Sequence, residues 1–325
     1  MMLDFVHKAN EFGSIGLPFF FLVDFELEKT IILPLDQLAD EGIFFDFEGQ
    51  KNSSISKNLS EDFTFTKHPV SREVYSQAFA KVLENINYGN SYLTNLTFAS
   101  EIECDLDFET IFANSEAKFK LLFRDEFVCF SPEIFVKIID GKIFSYPMKG
   151  TIPSEIPNAL EIIMADKKEE AEHNTIVDLI RNDLSIVSEN VEVLRFRYPD
   201  YLHTNTKNLI QISSEICGTL SNNWQNRIGN ILAALLPAGS VSGAPKKRTL
   251  DIIAQAETDK RGYYTGVAGI FDGENLTSCV LIRFIENRDG KMFFRSGGGI
   301  TSLSDLESEY QELIDKIYVP IHRNT

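Results

Sequence analysis

Tyr264-Thr-Gly-Val-Ala-Gly-Ile-Phe-Asp-Gly-Glu-Asn-Leu-Thr-Ser-Cys-Val-Leu-Ile-Arg-Phe-Ile-Glu-Asn-Arg-Asp-Gly-Lys-Met-Phe-Phe-Arg295 is the stretch on which the fold class turns. Two Asp-Gly pairs, Asp272-Gly273 and Asp289-Gly290, cut it into three apolar runs, 264–271, 277–286 and 291–295. Such pairs between β-rich runs mark tight hairpins, because the turn needs positive φ at residues that tolerate it. Strands joined by hairpins pair antiparallel. The pattern recurs upstream, where Asp140-Gly141 separates 134–139 from 143–146, and 19–25, 43–47, 92–98 and 118–130 read as further strands. Residues 49–60 are polar and read as a surface loop. Helical spacing predicts helices over 71–86, capped by Ser71, over 158–184 with a possible break, and over 227–236, 245–256 and 304–318. Hairpins and helices that do not alternate one for one make the class α+β, with mainly antiparallel sheets.

The chain has 325 residues, with 31 Lys plus Arg against 48 Asp plus Glu, a net charge of -17 and a pI near 4.8. So acidic a chain lacks the basic field that nucleic acids or anionic membranes require. Hydrophobic residues at 43% still supply a core, so acidity does not mean disorder here. No repeat or low-complexity linker divides residues 1–325, which predicts one compact unit with a short N-terminal region of about 70 residues. Cys104, Cys129, Cys217 and Cys279 form no C-x-x-C pair and read as buried thiols of a reducing compartment. The apolar run 15–23 is broken by Pro18 and is less than half of a spanning helix, so a cytoplasmic protein is expected.

Four places carry possible chemistry. In the Asp140-Gly141 hairpin, a three-residue loop would pair Ile138 with Phe144, Lys137 with Ser145 and Val136 with Tyr146, matching side-chain types on both faces. Extended past Pro132 and Pro147, that register sets Glu133 opposite Lys149, with Cβ atoms about 5 Å apart. A surface cross-strand ion pair is the simpler account of it. The run Arg295-Ser-Gly-Gly-Gly299 lies between a strand and the last helix, where its N–H groups could approach an anion or simply form a tight turn; Ser304 and Glu307 then read as a capping box. Glu309, Glu312 and Lys316 share one helical face, which suits either a Mg²⁺ site or a solvated ion-pair stripe. Arg283, inside an apolar strand, needs an anion, whether a structural carboxylate or a ligand.

Tyr146-Pro-Met-Lys-Gly-Thr151, Glu172-His-Asn-Thr-Ile-Val-Asp-Leu-Ile-Arg-Asn-Asp183, Gly239-Ser-Val-Ser-Gly-Ala-Pro-Lys246, Ser296-Gly-Gly-Gly-Ile300 and Glu309-Tyr-Gln-Glu312 occur in the order seen in chorismate-utilising enzymes. The chain resembles that family from about Tyr92 to Ile317. The resemblance implies large antiparallel sheets packed as a sandwich with helices outside. Lys149 sets the chain beside the branch that aminates chorismate at C4 on the way to para-aminobenzoate and folate, since anthranilate, isochorismate and salicylate synthases usually have alanine there. It further implies Glu133 as general acid and Lys149 as nucleophile. Mg²⁺ would be held by Glu172 and Glu312, with Glu309 close by. Thr151, Tyr264, Arg283, Lys316 and the N–H groups of Gly297, Gly298 and Gly299 would bind substrate. Two positions depart from the family: Leu93 stands where relatives place a water-activating lysine or a glutamine, and Gln211 replaces a common histidine. The Leu-Leu-Glu-Ser motif of tryptophan-regulated relatives is missing. No cysteine lies in a Gly-x-Cys-x-Gly elbow, so ammonia is expected from a separate glutamine amidotransferase subunit.

Overall fold

The computed structural model describes residues 1–57, 59, 63–203 and 208–321, without the side chains of 202 and 203. Its centre is a pair of stacked antiparallel sheets, each of nine strands among the described residues. Strand Phe19–Val23 shows why they stack, because it is apolar at every position. Phe19, Phe21 and Val23 face helices Met2–Ser14 and Ile228–Leu235, while Phe20 and Leu22 join Phe45, Phe47, Phe119, Phe127 and Phe284 between the sheets. Burying both faces of a strand requires a layer on each side, hence sheet on sheet with helices outside. Arg72–Asn87, Lys246–Ala256 and Leu306–Asp315 cover the second sheet, with Tyr75, Phe79, Ile252 and Leu313 pointing inward. Among the described residues no helix is long and apolar enough to cross a membrane.

Most predicted elements form. Ser71 caps its helix through Val74 N–H, and the 158–184 run divides into Ala159–Ala165 and Lys167–Val187, where Asp166 caps the second piece. Other readings are corrected. Helix Met2–Ser14, unforeseen, packs Phe5 and Ala9 on the first sheet. In the polar 49–60 stretch Gln50–Lys51 is a short strand, and Asn58 and Ser60 lie outside the described residues. The last helix is capped by Asp305, not Ser304, and Glu307 pairs with Arg72 instead of closing a capping box.

The Asp140-Gly141 hairpin has the two-residue loop, not the three-residue one. Ile143 pairs with Ile138 and Phe144 with Lys137, and both turn residues have positive φ, 50° and 74°. Polar opposite apolar is tolerated because Lys137 reaches out to Glu48 and the buried Ser145 hydroxyl donates to Phe135 O. Lys149 consequently does not lie across from Glu133. After Pro147 the chain leaves that hairpin and Met148–Pro153 pairs with Asn208–Thr219, setting Lys149 opposite Ile212.

The run 277–286 also is not one strand. Leu276–Val280 belongs to the first sheet and Phe284–Arg288 to the second, and between them Arg283 takes a left-handed φ of 55°. A parallel event occurs between Phe127–Ser131 and Ile134–Ile139, which also lie in different sheets. The two crossings are bonded to each other. Phe130 N–H donates to Arg283 O at 3.0 Å, Val280 N–H to Glu133 O at 3.1 Å, and Ser131 Oγ to Val280 O at 2.7 Å. Glu133 and Arg283 therefore sit where two strands change sheets together.

Candidate functional site

Beside these crossings lies a polar cavity of about 500 Å³. Every site residue singled out in the sequence lines it: Glu133, Lys149, Thr151, Glu172, Tyr264, Arg283, Gly297 to Gly299, Glu309, Glu312 and Lys316. Lys149 comes from Met148–Pro153, which bulges after it, with Gly150 at φ 77°; such bulges re-aim side chains. Helix Lys167–Val187 supplies Lys168, Glu169 and Glu172, and Leu306–Asp315 supplies Glu309 and Glu312.

The glycine triplet is not a strand-to-helix turn. It lies within strand Lys291–Ile300, paired to Leu93–Cys104, with Gly297 opposite Thr97 and Gly299 opposite Asn95. Space, not backbone freedom, demands glycine at 297 and 299. A Cβ on Gly297 would meet Leu96 O at 2.3 Å; one on Gly299 would meet Leu93 Cδ1 at 2.9 Å and Lys149 Nζ at 3.1 Å. On Gly298 it would lie 3.4 Å from Glu309 Oε2 and 3.5 Å from Glu312 Oε1, so the missing side chain leaves open the space where two carboxylates converge. Gly297→Ala should therefore cost roughly 1–3 kcal/mol of stability. Gly298→Ala, whose Cβ would make only ordinary contacts, should by contrast fold with little loss, which paired thermal melts of the two variants check.

Charge is unevenly matched. Glu133 accepts a hydrogen bond from Ser240, yet burial holds its carboxyl above the usual range, against the pull of Lys149, Arg283 and Lys316. Glu172 is raised by burial and by Glu169 and Glu309, and Glu169 by burial and Glu312. For Glu312 burial acts upward, but Lys316 at 2.6 Å, Lys149 and Lys168 outweigh it and the carboxyl falls below its usual range. Burial lowers Lys316, which also donates to Gly297 O at 2.8 Å. Arg283 makes no ion pair among the described residues. Its Nε donates to Tyr318 Oη at 3.3 Å and its guanidinium stands 5.6 Å from that ring, so no structural carboxylate answers it.

Glu172, Glu309 and Glu312 fit a hard cation through oxygen alone. Among the described residues no three acidic, His or Cys side chains close on one point by themselves. A cation at these carboxylates would need water or ligand oxygens to complete its shell.

Several cavity residues went unassigned in the sequence. Lys168 stands four residues before Glu172, a helical spacing that could have flagged it, and Ser240 stood inside a quoted motif. Asn95 Oδ1 is buried without a hydrogen-bond partner among the described residues, and Gln211 lines the wall opposite Thr151. Behind Glu172, His173 Nε2 lies 2.7 Å from Ser214 Oγ, and burial, then Arg197, push it down to about 4, so it stays neutral. Arg261, fully buried, fixes the cavity floor. It binds both oxygens of Glu257, at 2.6 and 2.9 Å, with Val241 O at 2.7 Å and Asn95 O at 2.8 Å. No periodicity distinguishes such an arginine from a surface one.

The sequence profile of the chorismate binding enzymes matches residues 21–322. The chain belongs to this family. That match begins at Phe21, inside strand Phe19–Val23 and well before the motifs begin. A protein of Haemophilus influenzae called an uncharacterized PabA-like protein is 52% identical to this chorismate-binding enzyme, over 98% of the chain and 97% of the relative. Anthranilate synthase component 1 of Aquifex aeolicus is 36% identical over 57% of the chain and 38% of its own length. The menaquinone-specific isochorismate synthase MenF of Escherichia coli superposes with a TM-score of 0.74 at 19% identity, over 97% of the chain and 80% of MenF, a likeness of fold.

Proposed function

We propose that this chorismate-binding enzyme is the aminating component of an aminodeoxychorismate synthase, converting chorismate and ammonia to 4-amino-4-deoxychorismate and water with Mg²⁺ bound. The observation that carries the reading is Lys149, whose amine makes no hydrogen bond among the described residues and lies 3.8 Å from Glu172 Oε2 in the cavity that Glu133 also lines. A lysine nucleophile needs a neutral, unencumbered amine. Lys149 Nζ adds to ring C2 while the C4–O bond breaks, and Glu133 gives its proton to the departing hydroxyl, which leaves as water. Ammonia then bonds to C4 as the C2–N bond breaks, restoring the Lys149 amine, and the surplus ammonia proton returns to Glu133. Mg²⁺, held by Glu172 and Glu312 with Glu309 nearby, would neutralise the ring carboxylate. Lys316 and the strand of Gly297 to Gly299 flank that carboxylate. Arg283, which makes no ion pair among the described residues, and Tyr264 receive the enolpyruvyl carboxylate, and Thr151 makes a further contact.

Amination is favoured over hydroxylation because Leu93, 2% exposed and against Gly299, cannot activate water. Burial raises the thiols of Cys104, Cys129, Cys217 and Cys279, which suits none of them to glutamine hydrolysis and supports a separate amidotransferase as ammonia source. Thirty-six per cent identity to an anthranilate synthase component 1 sustains a second reading, amination at C2 with loss of pyruvate. Purified protein with chorismate, Mg²⁺ and ammonium distinguishes the two. The expected product has the mass of 4-amino-4-deoxychorismate, without pyruvate release; fluorescent anthranilate with pyruvate would replace this reading by the second.

A further inference from the structure

We propose that Lys168 is the standing counter-cation of the carboxylate wall, holding the metal-free cavity together and keeping Mg²⁺ binding weak; the inference rests on the metal-dependent reading above. Lys168 lies in the first turn of Lys167–Val187, one turn before Glu172, whereas Glu309 comes from Leu306–Asp315 on another element. Its ammonium bridges them, 3.0 Å from Glu309 Oε1 and 3.8 Å from Glu172 Oε1. Those carboxylates are nearly inaccessible, their side chains 3% and 9% exposed, while Lys168 reaches in from the rim at 33%.

Buried carboxylates this close need positive charge, since unpaired burial is costly and their mutual repulsion adds to it. The Lys168 ammonium supplies that charge by position, donating to Glu309 Oε1 and standing within ion-pair distance of Glu172 Oε1. It also occupies only part of the ligand set. Glu309 Oε1 is taken by Lys168 and by Ser304 Oγ at 2.7 Å, while Oε2 faces the gap over Gly298 beside Glu312 Oε1. An incoming ion can therefore meet Glu309 Oε2 without expelling Lys168, while Glu312 Oε1 beside it is held by Lys316 at 2.6 Å, and it meets both in a potential that the ammonium has already reduced. Lys149 touches Glu172 on its other oxygen only, and Lys316 pairs with Glu312, so neither joins the two helices as Lys168 does.

The test is Mg²⁺ binding to Lys168→Met without chorismate, by isothermal titration and by melting in chelator against rising MgCl₂. The variant should melt below wild type in chelator, bind Mg²⁺ about tenfold more tightly, and show the larger Mg²⁺-induced rise. Lys168→Arg should restore wild-type affinity. A lysine that merely positions the carboxylates predicts the reverse, and Mg²⁺ affinity equal to or weaker than wild type in folded Lys168→Met overturns the proposal, as does no Mg²⁺ binding by either protein. Lys168→Gln, closer in polarity, is read the same way if the methionine variant does not fold. Because no substrate is present, these outcomes are separate from product identification: an unexpected product would leave the Lys168 inference standing.

Discussion

Lys149→Ala should lose 4-amino-4-deoxychorismate formation from chorismate and ammonium by roughly 10³-fold or more, with chorismate binding largely kept. The size follows from what the residue does. If Lys149 forms the bond to C2, its loss removes a covalent path, not a contact, and ammonia must displace the C4 hydroxyl unaided. Binding should persist because the groups for the two substrate carboxylates, Arg283 on one side and Lys316 with the Glu172–Glu312 wall on the other, stay in place. Folding should be little affected, since the amine has no hydrogen bond to lose among the described residues and its ion pair is at 3.8 Å. Intact-protein mass gives an independent readout: wild type quenched with chorismate and no ammonium should carry the substrate less one water, and the alanine variant should not. Undiminished turnover by the variant would remove Lys149 from the chemistry.

The route by which Lys149 and Glu133 reach one cavity shows what sequence can and cannot convey. Their shared location was legible because motif order carries it. The geometry was not, since it was inferred by running one hairpin outward, and matching side-chain types chose the wrong loop. Ser145 and Lys137 satisfy their polar groups outside the cross-strand pair, through Phe135 O and Glu48, and pair-matching cannot see such partners. Arg283 is the same lesson in backbone form. The apolar run 277–286 looks unbroken, and a single left-handed residue, which moves the chain from one sheet to the other, leaves no trace in the hydrophobic pattern. The antiparallel pairing was robust by contrast, because Asp-Gly turns act locally, whereas the stacking of the sheets into a sandwich was implied by the family resemblance alone. The glycine triplet is intermediate: its need for close approach was readable, but whether backbone or carboxylate came close depended on Thr97 and Glu309, distant in sequence.

Glu133→Gln should lower turnover by about 10³-fold while leaving chorismate affinity within a few-fold, because glutamine keeps the shape and an acceptor for Ser240 but cannot donate an acidic proton. The pH dependence separates this from a structural effect. Burial raises the folded Glu133 carboxyl above its unfolded value, so the folded protein binds more protons between the two values, and stability falls as pH rises through that window. The same shift keeps the acid protonated at higher pH than a free carboxyl would be, and activity should decline on the alkaline side as that proton is lost. Glutamine removes both dependences. Above the window Glu133→Gln should therefore melt higher than wild type while turning over far more slowly, and its residual rate should lack the alkaline decline set by this group. A variant that is both slower and less stable at every pH would assign Glu133 a structural role, since only a carboxyl held protonated against its own solvation improves the fold when removed and disables the chemistry.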